Sequence, residues 1–254
     1  MKSIYFAKYS DEKAICHAVA EDIYTKIYNR TKANKKTVLG LATGQTYIGV
    51  YKELMSLFKN GITFDLSKLY TFNLDEYYPI NPEHERSYHR EMKEWLFEPL
   101  QSINSSFDYK KQTHLLDGTA KNPEKECKRY EKLIRDYGGI DIQLLGIGTN
   151  GHIAFNEPNS KGNSRTRIVE LADETIRVNS RFFKSKDEVP KTALSMGIET
   201  IMEAKELIVT VFGLPKQPII NKIFSCSEPT EEIPASFLLK HNNVNWYTDI
   251  AVRM

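Results

Sequence analysis

The chain is poor in cysteine. It has three, Cys16, Cys127 and Cys226, odd in number, far apart and without a C-x-x-C pair. That argues against a disulfide framework or a zinc site and favours a reducing compartment, so the expected location is cytoplasmic. Long apolar runs are missing too. None approaches the roughly 18 residues that a membrane span needs. The first residues, MKSIYFAKYSDEKA, have no sustained apolar stretch of the kind a secretory signal carries. Net charge is almost absent, because 35 basic residues face 33 acidic ones and leave +2. Bulk charge therefore gives no reason to expect nucleic acid or a membrane as a partner, although local basic residues can still hold a small anion.

What is present is an ordinary globular composition. In 254 residues, 41% are apolar, enough for one sizeable core. Helical patterns alternate with short apolar runs. Ser10 followed by DEKAICHAVAEDIYTKIYNR reads as an N-capped amphipathic helix, and KKTVLGLAT as a buried strand. TYIGVYKELMSLFKN is a helix, and KLYTFNLDEYY a strand with its exit loop. SYHREMKEWLFEPL and PEKECKRYEKLIRDYG are further helices, IDIQLLGIG and ELIVTVFG further strands. A helix from about Pro215 to Phe224 follows, and NVNWYTDIAV reads as a last strand. Strands alternating with long helices predict an α/β fold: a single Rossmann-like domain over 1–254 with a mainly parallel sheet covered by helices. The least regular stretch, about 157–195, reads as a polar, lid-like insertion after the third core strand.

In such sheets ligands bind beyond the C-terminal strand ends, so the residues there are the candidates. After the first of these strands comes LATGQTY, with Thr43, Gly44, Gln45 and Thr46 at a strand-to-helix turn. It is neither a Walker A loop nor G-x-G-x-x-G, but a glycine at a helix start offers free N–H groups to an anion. After the second comes NLDEYYP. Asp75 and its neighbour Glu76 would point to opposite sides of a strand, so one faces the site and the other holds a neighbouring element. After the third comes GIGTNGHIAFNEP, with Asn150, Gly151, His152 and Glu157. A histidine suits acid–base work near neutral pH, and Glu157 can orient it if the loop folds back. After the fourth comes Lys216 near a helix start, where a cation is unfavourable unless an anion is bound. Arg181, in VNSRFF, can present a guanidinium fork to a phosphate. An ordinary turn, a helix cap and surface ion pairs explain each feature singly. Together they suit a sugar phosphate undergoing proton transfers, with no metal cluster or nucleophilic serine elbow competing.

LATGQT, TFNLDEYY, SYHREM, LLGIGTNGHIAFNEP, SRTRIVEL, VNSRFF and VPKTALSMGIETIMEAKELIVTVFG, then Lys216, occur in that order. Over about residues 35–240 the chain resembles the glucosamine-6-phosphate deaminases. The wider superfamily includes 6-phosphogluconolactonase, which shares the fold but usually carries an aspartate–glycine–histidine motif without the FNEP tail. The resemblance implies conversion of glucosamine 6-phosphate and water to fructose 6-phosphate and ammonia, with no metal or organic cofactor. It implies that Asp75 moves a proton between C2 and C1 and that His152 opens the sugar ring with Glu157 behind it. Arg181, Lys216 and the Gly44–Thr46 turn would grip the phosphate.

Three departures from the family pattern matter, the first at Asn150, whose amide can orient His152 by hydrogen bonding but cannot stabilise an imidazolium by charge. Asn150 stands where some members have aspartate. Allosteric members bind N-acetylglucosamine 6-phosphate through two serines, an arginine and a lysine after FNEP. Here Ser160 and Arg167 match, but Lys161 and Val169 replace the second serine and the lysine. The chain also ends at Met254, short of those members' C-terminal segment, so activation by that effector is not expected. Family members range from monomers to hexamers, which leaves a homo-oligomer open. The rival readings are the same reaction on galactosamine 6-phosphate, lactone hydrolysis, and a non-catalytic sugar-phosphate sensor.

Overall fold

A computed structural model describes residues 3–251. In chain order the elements are β1 (Ser3–Lys8), α1 (Glu12–Lys32), β2 (Thr37–Leu41), α2 (Gln45–Asn60), β3 (Leu69–Asn73) and β4 (Asp75–Tyr78). Then come α3 (Tyr88–Met92), α4 (Glu98–Ile103), α5 (Tyr109–Gln112), β5 (Thr113–His114), α6 (Pro123–Asp136) and β6 (Ile142–Gly146). The rest are β7 (Arg167–Glu170), α7 (Asp173–Asn179), β8 (Thr192–Ser195), α8 (Ile198–Met202), β9 (Leu207–Val211), α9 (Gln217–Ser225) and β10 (Asn243–Thr248). Among the described residues no helix is long and apolar enough to cross a membrane.

Seven strands form one sheet in the order β1-β10-β9-β6-β2-β3-β5, every pair parallel. Every residue of β2 and β9 is buried. That is what helices on both faces require, and it explains why these strands read as continuous apolar runs rather than alternating ones. From β2 the chain builds outward through β3 to β5. From β6 it builds the other way through β9 to β10. The strand order therefore reverses between β2 and β6, and their C-terminal ends open a crevice there.

The sequence reading departs from the structure in several places. SIYFAK is an edge strand, paired with β10 along its length; with Tyr5 and Lys8 exposed and Phe6 and Ala7 half-buried, it carries little signal. Asp11 rather than Ser10 caps α1, its Oδ1 accepting from the Ala14 N–H at 2.9 Å, while Ser10 donates to Asp11 Oδ2. The helix expected over SYHREMKEWLFEPL is α3 and α4 joined by one π turn, Lys93–Phe97.

The largest difference concerns a second sheet. DEYY is a strand, not an exit loop. It pairs antiparallel with β8, which pairs antiparallel with β7. The stretch 157–195 thus holds two strands and a helix. Its small core joins Tyr77, Ile80, Phe155, Leu171, Phe183, Val189 and Ala193. Four-residue strands separated by polar turns give little periodicity to read.

Candidate active site

The crevice between β2 and β6 is a cavity of about 420 Å³. Its wall includes Thr43, Gly44, Gln45, Thr46, Asp75, Asn150, His152, Arg181 and Lys216, brought together from five segments of the chain. Glu157 lies behind His152. Gly151 lies outside the cavity wall, packed towards Ile219 and Ile233.

Asp75 is the first residue of β4 and is 6% exposed. Burial and then the neighbouring Glu76 push its carboxyl up to about 8, against a lowering hydrogen bond from Thr43. The adjacent acids do point to opposite sides. Glu76 turns away and is fully buried, its carboxylate accepting from the backbone N–H groups of Tyr77, Tyr88 and His89 at 2.9–3.0 Å. An acid at the start of α3 is where the helix dipole favours one. The effect is to fix Tyr88 in the cavity wall.

The motif after β6 divides into a working part and a clamp. Gly148 is needed for close approach, because a Cβ there would sit 2.2 Å from Cε1 of His152. His152 Nδ1 lies 3.5 Å from Glu157 Oε2 and has no other partner. Burial acts to raise the Glu157 carboxyl. The neighbouring His152, with hydrogen bonds from Thr175 and Asn150, outweighs it and holds the group down at about 2. Asn150 makes no hydrogen bond to the imidazole. Its Nδ2 donates to Glu157 Oε2 at 2.8 Å, and its Oδ1 accepts from the His152 backbone N–H at 3.1 Å. Asn156 is purely internal: it donates to the carbonyls of Ile153 and Met196 and accepts from Arg167. Phe155 packs into the small core, and its N–H reaches Ser195 Oγ.

One end of the cavity is built from backbone and cations. Gly44 has φ +91°, which glycine adopts without strain. It begins α2 with no side-chain cap and no acid in the first turn. The first N–H groups of a 16-residue helix are left to the cavity. Lys216 sits in a 3₁₀ turn, Leu214–Lys216, that leads into α9. Burial lowers its ammonium, opposed by Asp249, and no described carboxylate pairs with it. Arg181 is exposed, with its guanidinium 4.6 Å from the Phe182 ring.

Several cavity residues escape the sequence reading: Tyr88, Glu174, Thr175, Val178, Asn179 and Phe212. Four of them follow Asp173 on α7, whose seven residues read as polar insertion. Tyr88 lies in SYHREM, Val178 and Asn179 in VNSRFF and Phe212 in ELIVTVFG, but nothing in those stretches marks them as cavity residues.

A sequence profile described as glucosamine-6-phosphate isomerases/6-phosphogluconolactonase matches residues 10–246. The chain belongs to this family. A glucosamine-6-phosphate deaminase of Staphylococcus saprophyticus is 43% identical over 224 residues, 88% of this chain and 90% of that one. Glucosamine-6-phosphate deaminase 2 of Bacillus subtilis is 46% identical over 225 residues, covering 88% and 87%. Among solved structures, a monomeric glucosamine-6-phosphate deaminase superposes with TM-score 0.87 at 34% identity, over all of this chain and 98% of that one. A 6-phosphogluconolactonase of Thermotoga maritima gives TM-score 0.74 at 20% identity over both full chains, a likeness of fold alone.

Near the site is a second cavity of about 350 Å³, on the far side of Phe155 and Glu157. Ser160, Lys161, Arg167 and Val169 all line it, the four positions compared above with the family's effector contacts. Lys161 is engaged with Glu231 at 2.7 Å, and Arg167 reaches Ser160 Oγ at 3.2 Å.

Proposed function

We propose that the protein converts glucosamine 6-phosphate and water to fructose 6-phosphate and ammonia. The observation that carries this reading is the buried Asp75 carboxyl opening into the same cavity as His152 and its Glu157. The family membership and the 43–46% identity to curated deaminases support it.

The sugar phosphate is held by its charged end at the α2 N-terminus, Lys216 and Arg181, which turns binding into placement of C1 and C2. His152 delivers a proton to the ring oxygen as the C1–O5 bond breaks, and the C1 hydroxyl loses its own to become an aldehyde. Asp75 then takes the C2 proton, the C1 oxygen gains one, and an enolamine forms. Return of a proton to C1 leaves an iminium at C2. Water adds there and ammonia departs. Burial suits Asp75 to this task, since a more basic carboxylate drives proton abstraction further.

The three free cysteines support a cytoplasmic setting for this sugar-phosphate chemistry. The test is ammonia release from glucosamine 6-phosphate, with galactosamine 6-phosphate run beside it and kcat/KM compared. A higher kcat/KM for the glucosamine substrate is expected. Higher values for galactosamine 6-phosphate would reassign the substrate, and lactone hydrolysis without ammonia release would overturn the reaction.

A further inference from the structure

Two hydrogen bonds hold α7 against the cavity, one towards each end. In the first turn the Thr175 hydroxyl donates to Glu157 Oε1. At the last residue Asn179 Nδ2 donates to Tyr77 Oη at 2.9 Å. The two ties differ in what they end on. Tyr77 belongs to the small core and takes no part in the proton transfers. Glu157 is the carboxylate that backs His152.

The Glu157 carboxylate has one fixed donor on each oxygen: Thr175 on Oε1 and Asn150 on Oε2. Either donor alone would let the group swing. Both together fix its plane, and the same Oε2 faces His152 Nδ1. Helix propensity does not account for a threonine here, because a β-branched residue is disfavoured within a helix. Its side chain is buried yet lines the cavity. The hydroxyl itself is what the position uses.

We propose that Thr175 is a positioning residue for ring opening, its hydroxyl setting the Glu157 carboxylate so that Oε2 holds the His152 imidazole towards the sugar. The proposal rests on the reaction given above and adds α7 to its machinery. The alternative is that Thr175 merely fastens α7 to the body, as Asn179 does.

Three variants separate these cases: Thr175→Val, nearly isosteric but without the hydroxyl; Thr175→Ser, which keeps it; and Tyr77→Phe, which removes the acceptor of the other tie and leaves Glu157 untouched. Two readouts are taken on each. One is kcat and KM for glucosamine 6-phosphate, beside the inhibition constant of an open-chain 2-amino-2-deoxyhexitol 6-phosphate, which has no ring to open. The other is the ¹⁵N shifts of the His152 ring, assigned by their loss in His152→Gln. Thr175→Val should lower kcat by about 10- to 100-fold, the scale of a small misplacement of a reacting group. It should leave the open-chain inhibitor within about twofold of its wild-type constant and move the ring shifts. Thr175→Ser should restore both, and Tyr77→Phe should leave the ring shifts in place. Unmoved ring shifts in Thr175→Val, or the same shifts in Tyr77→Phe, overturn the proposal. If the wild type releases no ammonia, the deaminase reading fails separately, and the ring shifts still decide the role of Thr175.

Discussion

At the scale of single residues, Asp75 sits under two opposed demands. As the proposed base it must ionise, and burial resists that. With its carboxyl pushed up to about 8, kcat/KM of the free enzyme should rise as pH approaches 8 and level above it. The same shift acts on the fold. Between the ordinary carboxyl range and about pH 8 the folded chain keeps a proton that the unfolded chain has released, so stability falls as pH rises through that window. Asp75→Asn should therefore lower kcat by on the order of 10²–10⁴. It should also raise Tm by about 2–4 °C above pH 8, given roughly 1 kcal/mol of relieved burial in a chain of this size. An ammonia assay and a thermal melt at two pH values check both outcomes. Asn150 makes a second case. Its amide donates to Glu157, so Asn150→Asp puts two carboxylates in one hydrogen bond. The Glu157 carboxyl should then rise from about 2 by about one unit or more. A carboxyl ¹³C titration reads this directly, and an unmoved Glu157 would count against the contact.

At the scale of elements, what was legible and what was not follow from the length of each element. Helices α1, α2 and α6 have 14 to 21 residues, enough turns for their apolar stripes to show. The small sheet and α7 have four to seven residues each, and their reason for folding is the core they share with Phe155. That reason lies in contacts distant in sequence. The motif after β6 was legible as a site but not as two devices. Nothing local distinguishes Asn156, which clamps the loop, from Asn150, which touches the working carboxylate. Gly148 is informative here because its role is room rather than conformational freedom. Gly148→Ala should displace the His152 ring and lower kcat by about 100-fold while the far-UV spectrum stays native. Kinetics with a circular-dichroism control measure it.

At the scale of the whole molecule, the parallel sheet and its reversal between β2 and β6 fix where the cavity must be, and the alternation of strands and helices is enough to expect that much. Regulation is read from a different face. The second cavity gathers Ser160, Lys161, Arg167 and Val169. Its one added cation already pairs with Glu231, and Val169 offers no charge. Rate curves should therefore be hyperbolic and unaltered by N-acetylglucosamine 6-phosphate; a sigmoidal curve that the compound straightens would refute this.

Ser195 pairs with Asp75 across the β4–β8 ladder, and its hydroxyl receives the N–H of Phe155 from the histidine loop. One buried residue thus serves as a common fiducial mark for the two groups to which proton transfer is assigned above. In the proposed complex the α2 N-terminus and Lys216 register the phosphate elsewhere, at the ends of β2 and β9, and Arg181 alone reaches it from the small-sheet side. A small tilt of the three-stranded sheet would carry base and histidine together and leave their spacing intact, while changing their reach to the anchored substrate. Loosening that sheet from afar, for instance by Val189→Ala in its core, should disturb KM for the full substrate more than the balance between ring opening and C2 proton transfer. Comparing KM with the deuterium isotope effect at C2 would reveal it. Tolerance for error is therefore unevenly distributed: generous between the catalytic groups, strict along the length of the sugar.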